Sequence, residues 1–520
     1  MHTTTIEAKT SVATHSKSPD RGSVAESLMF KKLQERFPQQ FEHVFPDKLA
    51  PRTVIIVPSL TMDQEILSKI SGIVHYEERL LCMLMLLRMP RTQVIYLTST
   101  PIDPVIIDYY LHMLPGITGY HAQRRLTLLS CHDSSPKPLT QKLLERPRLI
   151  QRIKECVPAD HEAHMACFNV TPLERSLAIQ LQVPIYGCDP DLFDLGNKSN
   201  SRKIFKECGL TVPAGFEDLH TVEDIVKALV KLKQDEPGMK RAVVKVNDGF
   251  SGDGNAVFPY DGIEEQDDWT AWIKQELPYR LKLVATDLSY DMFLKKYYSM
   301  GGIVEAFVEG EIKESPSVQC RITPLGHCEI ISTHDQLLGG DTGQVFIGAK
   351  FPASQVYAAD LGKMGMAVAQ AFRQKGVLGR FAIDFISVKE GDDWKHYALE
   401  VNLRKGGTTH PYLMLQFLTD GEYNADKGMY YTANGQPRYY FASDNLKSEE
   451  YGGLTPHDLI DIAMIHNLHY DGSSQEGVMF HLIGALSQYG KLGVVCIGSS
   501  PERARYFYYE TVKVLNVECS

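Results

Sequence analysis

GRFAIDFISVKEGDDWKHYALEVNLRKGGTTHP occupies residues 379–411. FAIDFISV and HYALEVNL are rich in β-branched and aromatic residues, and KEGDDW between them has turn chemistry, so the segment predicts a β-hairpin. With the turn centred on Asp392, Asp384 and Glu400 are equidistant from it and oppose each other across the strands. Asn402, two residues past Glu400, shares that face and lies diagonal to Asp384. Two carboxylates held directly opposite repel. A hard cation with oxygen ligands removes the repulsion, and Mg²⁺ carrying nucleotide phosphates is the usual occupant of such a seat. The alternative is an exposed face with ordinary surface carboxylates.

Outward from the hairpin, the 520-residue chain suggests three or so structural units. Its composition, 43% hydrophobic and 23% charged, is that of a globular protein with a large core. A net charge of −10 argues against a general nucleic-acid binder. Ten scattered cysteines without a CxxC pair indicate reduced thiols and a cytoplasmic location. The longest apolar run, Leu80–Leu87, is too short to span a membrane. Residues 1–25 read as a disordered tail without a signal-peptide core.

Residues 26–195 alternate strand-like runs (TVIIVPSL 53–60, TQVIYLTS 92–99, VPIYGC 183–188) with helical patterns, implying a mostly parallel α/β sheet. Residues 196–445 follow with a helix near Ser201–Cys208, a strand RAVVKVN (241–247), the loop DGFSGDGN and further strands. A helix at 358–374 then precedes the hairpin. Residues 446–520 read as a small α/β appendage: a helix from Pro456 to His466, an apolar helix over Val478–Tyr489, a strand at 492–497 and a last helix.

Lys245 stands among valines, where its charge costs desolvation unless it is used. The loop beyond it offers Gly249, Ser251, Gly252 and Gly254, whose backbone amides could approach phosphates. The competing reading is a snorkelling edge-strand lysine beside a flexible loop. Arg404 and Lys405, followed by Gly406, Gly407, Thr408 and Thr409, place cations, close backbone approach and hydroxyls beside the proposed cation seat. The competing reading there is a helix N-cap with surface cations. Arg321 and Arg380 are candidates for anion contact or for structural ion pairs. His334, Asp335 and Gln336 form a polar group at a strand end, either substrate-binding or plain turn chemistry. No GxSxG supports a serine triad. HEAH (161–164) lacks zincin spacing, and no GxGxxG follows the first strand.

In this order, GNK ending at Lys198, Lys245, the glycine loop, the hinge VEAFVEGE and the D…E-x-N-x-R hairpin resemble the ATP-grasp superfamily. SPSVQCRITPLG, THDQLLGG, EVNLRKGGTTHPYLMLQFLTDG and VMFHLIGALSQYGKLGVVCIGSSPE resemble the pheganomycin-type peptide ligases. The resemblance, over about residues 50–515, implies a Rossmann-like pre-ATP-grasp domain, an ATP-grasp domain (lid about 205–304, core about 309–445) and the C-terminal α/β unit. It implies a carboxylate–amine ligase working through an acyl phosphate, with ATP and one or two Mg²⁺ as cofactors. A non-catalytic ATP-binding protein and a phosphotransferase are the alternatives.

By matching position, Asp384, Glu400 and Asn402 would hold metal, while Lys198, Lys245 and the 249–254 loop would hold phosphates. Glu305, Ala306, Phe307 and Val308 would face adenine, and Glu314, or else Glu311, would face ribose. Arg404, with Arg321 or Arg380, would steady the reacting centre. The partners implied are small carboxylate and amine substrates, with neither nucleic acid nor membrane. The C-terminal unit would cover the acceptor site or form a homodimer contact.

Overall fold

The computed structural model describes residues 19–62, 64–249, 254–260, 268–285, 288–339 and 345–520. A parallel sheet comes first, in the order Leu126–Ser130, Thr92–Thr98, Arg52–Val57, Glu162–Cys167. Its central strand RTVIIV is buried throughout, as a parallel strand covered by helices on both faces must be. Ser23, which the tail reading placed in a disordered segment, caps a helix over Val24–Gln34; residues 1–18 of that segment lie outside the described residues. VPIYGC is not a strand; Ile185 makes one parallel bridge to Met165.

Next comes an antiparallel sheet in the order Gly215–Leu219, Gly302–Ala306, Arg241–Val246, Asn255–Pro259, Lys282–Leu283. Lys245 therefore lies on an interior strand, paired on both sides, and the edge-strand reading is excluded. The sheet packs on the helices Val222–Asp235, Trp269–Arg280 and Tyr290–Met300 with a core of its own.

The largest sheet is antiparallel around Gly379–Glu390, Pro316–Ile322, Cys328–Gly339 and Val345–Phe351. Asp393–Asn402 joins Gly379–Glu390 to complete the hairpin. The C-terminal segment is no separate appendage. Tyr439–Lys447, Lys491–Gly498 and Gly477–His481 continue the same sheet, and their core merges with that of the N-terminal parallel sheet. The helix expected over 478–489 is a buried strand, Gly477–His481, then two short helical turns to Tyr489. A wholly apolar run suits either state, and its burial on both faces decides for strand. Among the described residues no helix is long and apolar enough to cross a membrane.

Candidate active site

The hairpin closes on a two-residue turn, with Glu390 opposite Asp393 and Gly391 at φ 65°. From there the register runs regularly to Phe385 opposite Ala398; the next pair is Asp384 with Glu400. Leu399 is the extra residue of a bulge. Without it Leu399 would oppose Asp384, and Glu400 would turn to the other face.

Around this pair the polar groups interlock. Gln336 Nε2 donates to Asp384 Oδ1 at 2.7 Å, and Asn402 Nδ2 donates to Oδ2 at 2.9 Å. Arg404 Nη2 donates to Asn402 Oδ1 at 3.1 Å. Lys198 Nζ lies 3.1 Å from Glu400 Oε2. Burial, then the Glu400 charge, pushes the Asp384 carboxyl up to about 6. Burial also works against Glu400, yet Lys198, Lys245 and Arg404 together outweigh it and hold its pKa below the ordinary glutamate value. Burial lowers the pKa of Arg404 despite the adjoining carboxylates, and Arg79 adds to that pull.

Lys198 opens the helix Lys198–Glu207, whose N-cap Asn197 accepts from Asn200 N at 2.8 Å. Asn247, just past the Lys245 strand, accepts from Ser199 N at 3.0 Å and ties that helix end to the antiparallel sheet. Lys245 Nζ pairs with Glu305 Oε1 at 2.7 Å, and Arg202 Nη1 with Glu305 Oε2 at 2.6 Å. Glu305 is thus a buried anion between two cations that fixes Lys245 at the cleft wall.

One cleft of about 500 Å³ collects these groups. Lys198, Lys245, Gly249, Gly254, Glu305, Ala306, Phe307 and Val308 line one side. Gln336, Asp384, Glu400, Asn402, Arg404, Gly406, Gly407 and Thr408 line the other. Ser251 and Gly252 lie outside the described residues.

Several expected residues fall elsewhere. Among the described residues Glu314 does not line the cleft, although its neighbours Lys313 and Ser315 do, because adjacent side chains in an extended segment point to opposite sides; Glu311, before that strand, does not line it either. His334 is buried, bonded to Tyr440 Oη at 2.5 Å. Asp335 accepts from Tyr357 Oη at 2.7 Å and from Ser354 N at 3.0 Å, a structural role. Of that triplet only Gln336 reaches the cleft. Arg321 is paired with Glu329 and sits opposite Arg380 in the ladder, four residues down the strand from Asp384; neither arginine lines the cleft. Thr409 turns inward to Gln319 at 3.2 Å and to Gly406 N at 3.0 Å. The sequence reading missed Arg202 as the second partner of Glu305, and Tyr76, Arg79, Phe168, Asp444 and Lys491 in the cleft wall. No local motif marks them, since distant segments supply them.

The second, antiparallel sheet and the larger sheet border one cleft that carries Lys198, Lys245, the segment 305–308 and an opposed carboxylate pair. The fold is an ATP-grasp fold. The chain matches the family model described as IQCH-like ATP-grasp over residues 192–276 and 264–426, and the PGM1 C-terminal domain over 458–509. It is 28% identical over 461 residues to L-propargylglycine–L-glutamate ligase of Streptantibioticus cattleyicolor, covering 87% of this chain and 92% of that protein. It is 24% identical over 400 residues to IQ motif-containing protein H of Danio rerio, covering 69% of this chain and 38% of that protein. Biotin carboxylase from Campylobacter jejuni shares the fold at a TM-score of 0.51 and 12% identity, covering 90% of this chain and 95% of that one. The biotin carboxylase domain of Hydrogenobacter thermophilus 2-oxoglutarate carboxylase does so at 0.52 and 12%, covering 89% of each.

Proposed function

We propose that the protein is an ATP-dependent carboxylate–amine ligase that joins two amino-acid substrates. The observation that carries the reading is the single cleft running from the hinge 305–308, past Lys198 and Lys245, to the Asp384–Glu400 pair and Arg404. The relative from Streptantibioticus cattleyicolor, named for two amino acids, supports amino acids as both partners.

In the reaction a carboxylate oxygen of the first substrate attacks the γ-phosphorus of ATP. The bond from that phosphorus to the β–γ bridging oxygen breaks, and ADP leaves with the electron pair. The amine of the second substrate then attacks the acyl carbon. A C–N bond forms, the C–O bond to phosphate breaks, and the nitrogen gives up a proton. Positioning and charge stabilisation carry such a transfer, and no enzyme nucleophile is needed.

The backbone of Ala306–Val308 faces the adenine. Phe307 is held from one side by Arg241, whose Cζ lies 3.8 Å from the ring centroid, and approached by Lys313 Nζ at 4.7 Å. Lys198 and Lys245, held by Glu400 and Glu305, present their charge to the phosphates. Arg404, held by Asn402, faces the charge that develops on the acyl phosphate. Gly407 lies against Phe346, where a Cβ would come within 2.7 Å of the ring, so backbone rather than side chain borders the reacting centre there.

Among the described residues no group of three or more His, Cys, Asp or Glu could hold a metal ion. The seat here has two carboxylates and an amide, which suits Mg²⁺ completing its shell with phosphates and water. Burial first and the facing Glu400 charge second raise the Asp384 carboxyl, and a cation would relieve the second. Asp384, Glu400 and Asn402 would hold it, and it would supply charge neutralisation on the phosphates.

The test is ADP release from Mg-ATP with pairs of amino acids, with mass spectrometry of the products. An amide and ADP in equal amounts are expected. ADP formation that never depends on the amine would sink the ligase reading, and a phosphorylated acid without amide would make the protein a phosphotransferase.

A further inference from the structure

Part of the cleft wall is built by four distant segments. Tyr76 and Arg79 come from the helical stretch Ile73–Arg88, Phe168 follows the last parallel strand, and Asp444 and Lys491 come from the C-terminal strands. Arg79 Nη2 pairs with Asp444 Oδ2 at 2.6 Å, and Arg79 Cζ lies 4.1 Å from the Tyr76 ring centroid. Lys491 Nζ donates to Tyr76 Oη at 2.8 Å and lies 5.1 Å from the same ring. Two cations therefore gather on one tyrosine, and only Arg79 has a carboxylate. Among the described residues no carboxylate pairs with Lys491, while Arg79 Nε is buried without a hydrogen-bond partner. Arg404 lies within electrostatic range of Arg79 and adds a third positive charge.

Had this wall served only to bind the N-terminal sheet to the C-terminal strands, the Arg79–Asp444 pair would suffice. Lys491 would then be a cation kept partly buried at a cleft wall beside two other cations, compensated only by the Tyr76 hydroxyl and ring. A carboxylate bridging Arg79 and Lys491 removes that imbalance with charge-assisted hydrogen bonds. Asp444 orients the guanidinium for it, and Phe168 gives the pocket an apolar side. The position matters as much as the charge. Tyr76, Arg79, Phe168, Asp444 and Lys491 line the same cleft as Arg404 and the Gly406–Thr408 backbone, and Arg79 acts electrostatically on Arg404, so the cluster adjoins the group assigned to the acyl phosphate.

We infer that Arg79 and Lys491, seated on Tyr76, form the recognition site for the non-reacting carboxylate of the amine substrate, so that this substrate is an α-amino acid or a peptide rather than a simple amine. The inference rests on the ligase reading and gives the C-terminal strands a role: they deliver Asp444 and Lys491 to the site.

The experiment uses Lys491→Met in the full chain, a change at a part-exposed position that keeps the side chain's length. Steady-state ADP release is measured with the amino-acid pair that works best, and with the methyl ester of its amine partner. Wild type is expected to prefer the free acid to the ester, and the variant to lose that preference as KM for the amine rises about 10-fold or more. The rise should be confined to the amine. Equal loss on free acid and ester overturns the site, and so does a rise in KM for the acid substrate instead.

Should no pair of the twenty amino acids release ADP, each is titrated calorimetrically into the protein with Mg²⁺ and a non-hydrolysable ATP analogue. Binding seen in wild type and lost in Lys491→Met sustains the carboxylate site while the ligase reading falls. No binding by any of them to wild type overturns the site as well.

Discussion

Asp384 and Glu400 face each other across the hairpin because Leu399 stands unpaired between Glu400 and the regular register that starts at the turn. A bulge flips which side chains meet, and here it brings the second carboxylate to the cleft. Glu400→Gln keeps the size and hydrogen-bonding capacity but removes the charge that pairs with Lys198. Turnover should fall about 1,000-fold, in line with loss of a preorganised electrostatic group. The thermal midpoint should stay close to wild type. Near-normal ADP release would remove Glu400 from the metal seat.

Lys245→Ala leaves Glu305 with Arg202 as its remaining strong partner and withdraws one cation from the phosphate end. KM for ATP should rise about 10-fold or more, as the loss of a charge-assisted contact implies. Nucleotide titration by fluorescence or calorimetry reads this directly. An unchanged affinity would make the Lys245–Glu305 pair purely structural.

The pH dependence follows from Asp384. Its carboxyl is pushed up to about 6 by burial first and by Glu400 second, whereas Glu400 stays ionised at lower pH. A raised carboxyl keeps its proton to higher pH, so the cation seat loses a charge as pH falls through about 6. Mg²⁺ affinity should therefore drop from neutral pH toward pH 5, about tenfold per unit below the transition for a single proton. In metal-free protein the sign for stability is opposite: ionising this group costs more in the fold than in the unfolded chain, so stability declines as pH rises from the ordinary 3.8 toward about 6. Calorimetric Mg²⁺ titrations and thermal melts across that range check both. A flat Mg²⁺ affinity would count against Asp384 as ligand.

Gly254 borders the cleft where the loop returns to the sheet. A Cβ there would come within 2.1 Å of Val246 Cγ2, on a stiff β-branched side chain. Gly254→Ala should cost about 1–3 kcal/mol as overpacking, with a higher KM for ATP because Lys245 adjoins Val246. A denaturant titration beside ATP kinetics tests the pairing of the two effects, and a stable variant with unaltered ATP affinity would show that the loop absorbs the methyl group.

Much of this protein was legible in its residues. The β-rich runs and the polar turn of 379–402 specify a hairpin, because alternation and turn chemistry are local properties. The order of Lys198, Lys245, the hinge and E-x-N-x-R carried the family resemblance. The pairing of Asp384 with Glu400 was also inferred, but from a turn centred on Asp392. The actual turn lies half a residue earlier, and the bulge at Leu399 restores the pair.

Other features rested on contacts between distant segments. Arg321 and His334 carry the chemistry of a site, yet a partner at Glu329 and one at Tyr440 hold them outside the cleft. Residues 478–480 are apolar enough for either helix or strand, and pairing with Val494–Cys496 makes them strand. Arg79, Asp444 and Lys491 lie hundreds of residues apart in part, and no spacing rule joins them. The sequence by itself determined most of the elements and the order in which the cleft's residues follow along the chain, because propensity and motif act over a few residues. The tertiary structure alone decided which charges face one another, because burial and pairing depend on neighbours that local sequence does not name.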